Sequence, residues 1–244
     1  MHLKLMTSKR IPKHQQIEAD LLQKIKSGVY PPETLIPREV DLMQTYHVSR
    51  PTVRQAIQAL VDQGLLERRR RRGTMVKQNK IAQQFTQVVE GYNAEMSQKG
   101  LLPTTKVLLF QEEPATSEVA AKLELAAAAP VFKLVRLRYA NYQPVVLITS
   151  YLPAAVVPNL LEADFSQVSL YDTLDQHHVG VERVRRRLEV LKSDETTSDL
   201  LNIAIGEPLF YFHTLGFTAA NVPVEYSIAK YRGDVNYFVM DIKR

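Results

Sequence analysis

The chain has 244 residues, 45% of them apolar and 23% charged, with 13 Pro, 9 Gly and neither Cys nor Trp. That length suits one large or two smaller domains, and the apolar content excludes a mainly disordered chain. Charge divides the molecule: residues 1–80 carry 16 Lys and Arg against 7 Asp and Glu, whereas the remainder carries 15 against 19. Such asymmetry points to a polyanion-binding module joined to a module with another task. The missing Cys removes disulfides, thiolate metal sites and cysteine nucleophiles together, and suits a reducing compartment. The longest uncharged stretch, 139–161, contains Asn141, Pro144, Pro153 and Pro158, which exclude a lipid-exposed span. With no apolar leader at the N-terminus, a soluble, cytoplasmic protein is expected.

Residues 14–27 place Ile17, Leu21, Leu22 and Ile25 three to four apart, the stripe of an amphipathic helix that Gly28 stops. Tyr30-Pro31-Pro32 forces an extended segment. A second short helix is predicted from Pro37 to about Tyr46, with Val40, Leu42 and Met43 facing inward. After a turn at His47-Val48, Ser49 is expected to cap a third helix with its hydroxyl accepting from the Thr52 N–H. That helix runs to Asp62, with Val53, Ile57, Leu60 and Val61 on one face, and ends at Gly64. Two short helices across a tight turn make a helix-turn-helix, whose second helix enters a major groove. Arg50 and Arg54, four apart, project from one side with Thr52, Gln55 and Gln58; Arg reads guanine with two donors, and Gln reads adenine similarly. Two strands then flank five consecutive arginines, Arg68 to Arg72, and Gly73, a hairpin suited to phosphates or a minor groove. Each feature alone is ordinarily a solvated face or a tail. Their order and spacing together favour a DNA-binding winged helix.

The segments Ile36-Pro37-Arg38-Glu39, Val48-Ser49-Arg50-Pro51-Thr52-Val53-Arg54-Gln55-Ala56, Gly64-Leu65-Leu66 and Gly73-Thr74-Met75-Val76 resemble the winged helix of GntR-family bacterial transcription regulators. The resemblance covers roughly residues 12–77. It implies DNA contacts at Ser49, Arg50, Thr52 and Arg54, with Gly73 in the wing beside Arg71 and Arg72. The chain departs from the pattern at Val40, where the family usually has Arg, and at Arg38, where it usually has a small residue; a DNA contact is therefore expected from Arg38. Arg71 stands where the wing tip usually has a glycine.

Residues 78 to about 90 are polar and Gln-rich and read as a connector. Beyond them a helical segment, 116–128, precedes Pro130, a β-rich run to Arg138, a turn at 140–143 and a strand from Pro144. The grammar recurs as a helix over 197–205, Pro208, a strand over 209–217 and a strand from Pro223. Two related helix-strand-strand units contributing to one antiparallel sheet are therefore expected. Arg136 and Arg138 alternate with Val135 and Leu137, so both guanidiniums share a sheet face, while their counterparts are Thr214 and Gly216. Such a pair either binds an anion or lies solvated on an open face.

Gly91-Tyr92-Asn93-Ala94-Glu95-Met96 with Gly100, the pair Arg136/Arg138, Ser150-Tyr151-Leu152-Pro153, Ser169-Leu170-Tyr171, Pro223-Val224-Glu225-Tyr226 and Tyr231-Arg232-Gly233-Asp234 resemble, in order, the UTRA ligand-sensing domain of the HutC subgroup of the same family. The resemblance implies anion-binding positions at Arg136, Arg138 and Ser169, and contacts to the rest of the ligand from Glu225 and Tyr231. Tyr171 belongs to the same set, and Tyr92 and Asn93 open a helix on the lid side. Gly91-Tyr92-Asn93 replaces a Ser-Phe-Thr segment common in sugar-phosphate sensors, and Ile148 replaces an acidic residue.

The expected fold is α+β: a winged helix-turn-helix domain over 1–77, a linker over 78–88, and a UTRA domain over 89–244 with a chorismate lyase-like antiparallel sheet flanked by helices. The expected function is a homodimeric regulator, a repressor, that binds double-stranded operator DNA under the control of a small anionic effector, a phosphorylated sugar or carboxylate. No cofactor, metal or membrane is expected. The alternative is a chorismate lyase-like enzyme acting on a small anion, but none of G-x-S-x-G, H-E-x-x-H or a P-loop occurs. His177-His178 reads as a solvated loop, and a sheet edge near 237–242 is a candidate dimer surface.

Overall fold

The computed structural model describes residues 11–70, 72–77, 80–84, 92–157 and 159–239. The chain divides into two compact units, Met1–Asn79 and Lys80–Arg244.

The first unit contains helices α1 (Lys13–Lys26), α2 (Glu39–Tyr46) and α3 (Arg50–Asp62), then strands β1 (Leu66–Arg69) and β2 (Gly73–Val76). Ile17, Leu21 and Ile25 of α1 meet Val53, Ala56, Ile57 and Leu60 of α3 in a core that Leu42, Leu66 and Val76 complete. The Tyr46 hydroxyl donates to the Asp20 carboxylate, joining α2 to α1. Burial and this bond push the Tyr46 hydroxyl up to about 12, so it stays a neutral donor. Gly64 leaves α3 with φ 71°, a left-handed conformation that glycine adopts without strain. β1 and β2 pair antiparallel from Leu66↔Val76 to Arg69↔Gly73, the wing read from the sequence. Thr34 and Ile36 add backbone bonds to Val76 and Thr74, so the extended segment after the prolines forms a third edge.

Two local expectations change. α2 begins at Glu39, because Arg38 occupies the N-cap position and its N–H donates to Asp41 Oδ2 at 3.2 Å. In that phase Leu42 packs inward, and Val40, two residues and some 200° away, is 56% exposed. Ser49 does occupy the N-cap of α3, but its hydroxyl lies 3.0 Å from the Thr52 hydroxyl; the Thr52 N–H donates to the Ser49 carbonyl instead.

The second unit is built on a six-stranded antiparallel sheet. Its strands are β4 (Pro103–Pro114), β5 (Pro130–Ala140), β6 (Gln143–Pro153), β7 (Arg183–Lys192), β8 (Pro208–Phe217) and β9 (Pro223–Arg232), in the spatial order β4-β5-β6-β9-β8-β7. The duplication read from the proline spacing is present and extends further than the sequence indicated. Each half is strand-helix-strand-strand, with α5 (Ser117–Leu123) after β4 and α7 (Glu195–Leu201) after β7, and the halves meet at β6–β9. The two helices are capped alike. Thr116 accepts from the Val119 N–H and Asp194 from the Thr197 N–H, and each helix ends on a left-handed residue, Glu124 or Asn202. Between the halves lie α6 (Leu170–Gln176) and the segment before it, whose Leu160, Phe165, Leu170 and Leu174 pack with Phe132, Leu134 and Leu152 of the sheet.

The stretch 78–88, read as a linker, holds a strand, β3 (Ile81–Gln84). It pairs in parallel with β10 (Asn236–Val239), from Asn236↔Ile81 to Val239↔Gln84. Gln83 Nε2 donates to Asn236 Oδ1 at 2.9 Å inside the second unit, and Ile81 is buried in its core with α4 (Tyr92–Gln98). The described part of the C-terminal strand thus belongs to this ribbon and not to an edge of the main sheet; Ile242 lies outside the described residues.

Leu60, fully buried between α1 and α3, gives a first test. Leu60→Ala should lower the stability of the N-terminal unit by about 2–5 kcal/mol, through lost transfer energy and the cavity left behind. Chemical denaturation followed by far-ultraviolet circular dichroism measures it.

Candidate functional site

In the first unit, α3 presents Arg50 and Arg54 on one exposed side, as their spacing requires. Both turn toward one carboxylate: Arg50 Nε donates to Glu39 Oε2 at 2.8 Å, and Arg54 Nε lies 3.8 Å from Glu39 Oε1. Glu39 therefore meets both side chains through Nε, leaving the outer Nη groups, the fork that matches guanine, for other partners. Ser49 and Thr52 sit at the same helix start with their hydroxyls paired. Arg38 is exposed at the start of α2. In the wing, Arg69 pairs with Glu67 at 2.6 Å, Arg72 is exposed, and Gly73 (φ 121°) takes a backbone conformation closed to residues with a Cβ. Arg71 lies outside the described residues. The cationic face is thus one helix flank plus a hairpin tip, the geometry that reads a base edge and grips the neighbouring backbone.

In the second unit, strand register builds a cavity of about 120 Å³ over one face of the sheet. One row of paired residues runs across four strands, Ser150, Ser227, Thr214 and Arg186, and the next runs Arg136, Ile148, Ala229 and Phe212. Arg138, Tyr231 and Glu225 extend this floor, because residues two apart on a strand share a face. Tyr92 and Glu95 of α4, Ser169 and Tyr171 at α6, and Gln83 and Phe238 of the β3–β10 ribbon form the walls.

Charge inside this cavity is unbalanced. Arg136 is 3% exposed, and Nη2 donates to Ser150 Oγ at 3.3 Å, while its Nε and Nη1 are buried without a hydrogen-bond partner among the described residues. Arg138 Nε and the Tyr92 hydroxyl are buried and unpartnered in the same sense, and the Arg138 guanidinium lies 4.8 Å from the Tyr92 ring centroid. Burial, reinforced by the neighbouring Arg138, pulls the Arg136 guanidinium down to about 9, so it remains a cation at neutral pH; burial likewise lowers Arg138. The buried Glu225 is fixed by the Ser150 hydroxyl at 2.9 Å and the Tyr171 hydroxyl at 2.9 Å. Desolvation raises the tyrosine hydroxyls of Tyr92, Tyr171 and Tyr231, which therefore stay neutral donors. Two desolvated cations, with neutral donors around them and donors still to be satisfied, are groups whose charge and hydrogen bonds an anion can complete.

The cavity brings together seven residues expected from the sequence: Tyr92, Arg136, Arg138, Ser169, Tyr171, Glu225 and Tyr231. Asn93 is exposed on α4 and does not line it. Sequence reasoning missed Gln83, Glu95, Arg186, Ser227, Phe212 and Phe238, together with the bridging role of Ser150. Alternation within β7 signals Arg186, and alternation within β9 signals Ser227, two residues from Glu225. Gln83 and Phe238 carry no local signal, since only the β3–β10 pairing brings them there. His177 and His178 are exposed, and no metal-binding cluster of His, Asp or Glu occurs among the described residues. No helix there is long and apolar enough to cross a membrane.

A winged helix joined to a sheet that encloses a small-molecule cavity defines a ligand-sensing transcription regulator. The model of bacterial regulatory proteins of the gntR family matches residues 13–76, and the UTRA domain model matches residues 98–235. Among relatives, the HTH-type transcriptional repressor NagR of Bacillus subtilis is 30% identical over 230 residues, covering 94% of each chain. The mannosyl-D-glycerate transport/metabolism system repressor MngR of Escherichia coli is 26% identical over 233 residues, 96% of this chain and 97% of that one. The crystal structure of PhnF from Mycobacterium smegmatis superposes with a TM-score of 0.65 at 27% identity, covering 93% of this chain and all of that one. The chain belongs to the GntR family and carries a UTRA domain. It is a transcription regulator with a ligand-binding C-terminal domain, not an enzyme.

A buried hydrogen-bond donor without a partner, as Arg138 Nε is among the described residues, destabilises the fold that holds it. Arg138→Met should therefore stabilise the protein in anion-free buffer by about 1 kcal/mol, the orphaned donor outweighing the lost contact with the Tyr92 ring. Thermal denaturation compares the two proteins.

Proposed function

We propose that the protein is a homodimeric repressor whose affinity for a two-fold symmetric operator is lowered by a small anionic effector held in the UTRA cavity. The observation that carries this reading is the buried Arg136 beside the half-buried Arg138, with three guanidinium nitrogens buried and unpartnered among the described residues. In this reading Arg136, Arg138 and Ser169 hold the anionic group, while Tyr92, Tyr171, Glu225 and Tyr231 contact the remainder of the ligand. Asn93, exposed on the first turn of α4, is left out of the proposed ligand contacts. The effector class is a phosphorylated sugar or a carboxylate-bearing relative, and the repressor names of NagR and MngR support the sign of regulation. Kinship with the HutC subgroup belongs to the same reading.

On DNA, Arg50 and Arg54 read bases in the major groove, Ser49, Thr52 and Arg38 hold the backbone at the helix starts, and Arg71, Arg72 and Gly73 carry the wing. Two heads on a two-fold axis read half-sites about one helical turn apart. The effector acts through its differential affinity for two arrangements of the heads, which sets the upper limit of its influence on operator binding.

Two experiments test this. A thermal-shift series of sugar phosphates and small carboxylates should raise the melting temperature of the wild type with at least one ligand class and leave Arg136→Ala unmoved. A ligand that shifts both proteins equally would remove the anchor from the account. In binding to DNA selected from a randomised duplex pool, Arg54→Ala should cost about 1–3 kcal/mol at a single base pair. Arg72→Ala should weaken all sequences alike and reduce the salt dependence by about one counterion.

A further inference from the structure

The six-stranded sheet has two edges, and they are built differently. β4 carries a proline at each end, Pro103 and Pro114, and a register shift between Val107 and Leu109, devices that stop a second sheet from adding to it. β7 has neither proline nor register shift along its ten residues, and eight of them are exposed. Three of the eight are apolar: Val190 is 67% exposed, and Leu188 and Leu191 are each 37% exposed. A long, regular, partly apolar edge of this kind is a template for another strand.

The hydrogen bonds say which residues offer themselves. The Pro208 carbonyl accepts from the Gly233 N–H on the β9 side, and the Ser193 N–H donates to Glu207. Odd-numbered residues of β7 therefore bond to β8, and the even-numbered ones, Val184 through Lys192, direct N–H and C=O groups away from the sheet. From this we infer that β7 pairs antiparallel with β7 of a second copy about a two-fold axis through Leu188, joining two six-stranded sheets into one.

Charge selects that register. Centred on Leu188, the pairing sets Arg187 opposite the partner's Glu189 on both sides of the axis and Leu188 opposite the partner's Leu188. Arg187 already bonds Glu189 of its own strand at 2.8 Å, so the four groups alternate in sign around the axis. Moving the axis one residue toward the N-terminus sets Arg187 against the partner's Arg187. Moving it one residue the other way sets Glu189 against the partner's Glu189 and Arg186 against the partner's Lys192. Like charges directly opposite destabilise a ladder, and opposite charges support it. A two-fold interface uses one patch twice, and this patch is complementary to itself.

The inference rests on the dimeric reading given above, and the test separates the two. Sedimentation of the full chain should show a dimer. The sequence has no Cys, so Leu188→Cys supplies a single thiol per chain. Directly opposite hydrogen-bonded residues lie about 5.5 Å apart at Cα, within disulfide range. Mild oxidation should link Leu188→Cys into a covalent dimer, and should leave Lys192→Cys, which faces the partner's Val184, unlinked. Arg187→Glu should raise the dimer dissociation constant roughly tenfold, and adding Glu189→Arg to it should restore the wild-type value, which also shows that the variants fold. A monomeric wild type overturns the dimeric reading. A dimeric wild type whose Leu188→Cys form does not cross-link, or whose Arg187→Glu form associates unchanged, overturns the β7 pairing alone.

Discussion

Two guanidinium groups two residues apart on one strand, both turned into a cavity, set the terms for the C-terminal unit. Like charges there repel, and each has given up hydration that the surrounding protein only partly replaces. Glu225 supplies one buried carboxylate, and its oxygens are already engaged by Ser150 and Tyr171. The floor of the cavity therefore holds buried donors that the proposed anionic effector would satisfy. Among the described residues no protein atom partners Arg136 Nε, Arg136 Nη1 or Arg138 Nε. A ligand that supplies the missing charge changes the stability of the arrangement that holds it, and such differential stabilisation is the only means by which a bound molecule shifts an equilibrium.

The scaffold that permits this is a duplicated strand-helix-strand-strand unit, and its use depends on where the duplication fails. Thr116 and Asp194 cap equivalent helices in the same way, and Pro130 and Pro208 open equivalent strands. At the positions matching Arg136 and Arg138, the second half has Thr214 and Gly216. One half thus brings Arg136 and Arg138, while the other brings Arg186, the hydroxyls of Thr214 and Ser227 and the carboxylate of Glu225 to the same floor. The edges diverge as well. β4 is closed by prolines and a bulge, whereas β7 is left regular and exposed.

The N-terminal unit obeys a different electrostatic rule. Its described arginines are exposed, and one carboxylate at the start of α2, Glu39, orients the two on α3. Ion pairs this exposed add little to stability. Their effect lies in holding long side chains near one geometry while the guanidinium ends remain available. In the proposed reading, attraction to phosphates comes from the charge of the unit as a whole, and base selection from the few side chains that α3 directs outward.

Much of this was legible in the chain order of residues. The stripe from Ile17 to Ile25, the start of α3 at Ser49-Arg50-Pro51, the paired strands around the arginine run and the repeated proline spacing are local or periodic signals. Each followed from short-range backbone preference and from a face that must be buried. Alternation alone put Arg136 and Arg138 on one side of a strand. It could not say whether that side was open to water or enclosed, since burial depends on what packs above it. Tertiary structure decided that point through elements distant in sequence: α4, α6, and a ribbon that pairs Ile81–Gln84 with Asn236–Val239. It also decided the phase of α2, which turned Val40 outward, and the bridge from Arg136 through Ser150 to Glu225. Propensity and period are properties of neighbouring residues. Enclosure, register and unpaired charge arise only when segments as far as 153 residues apart, and more, compete for the same space.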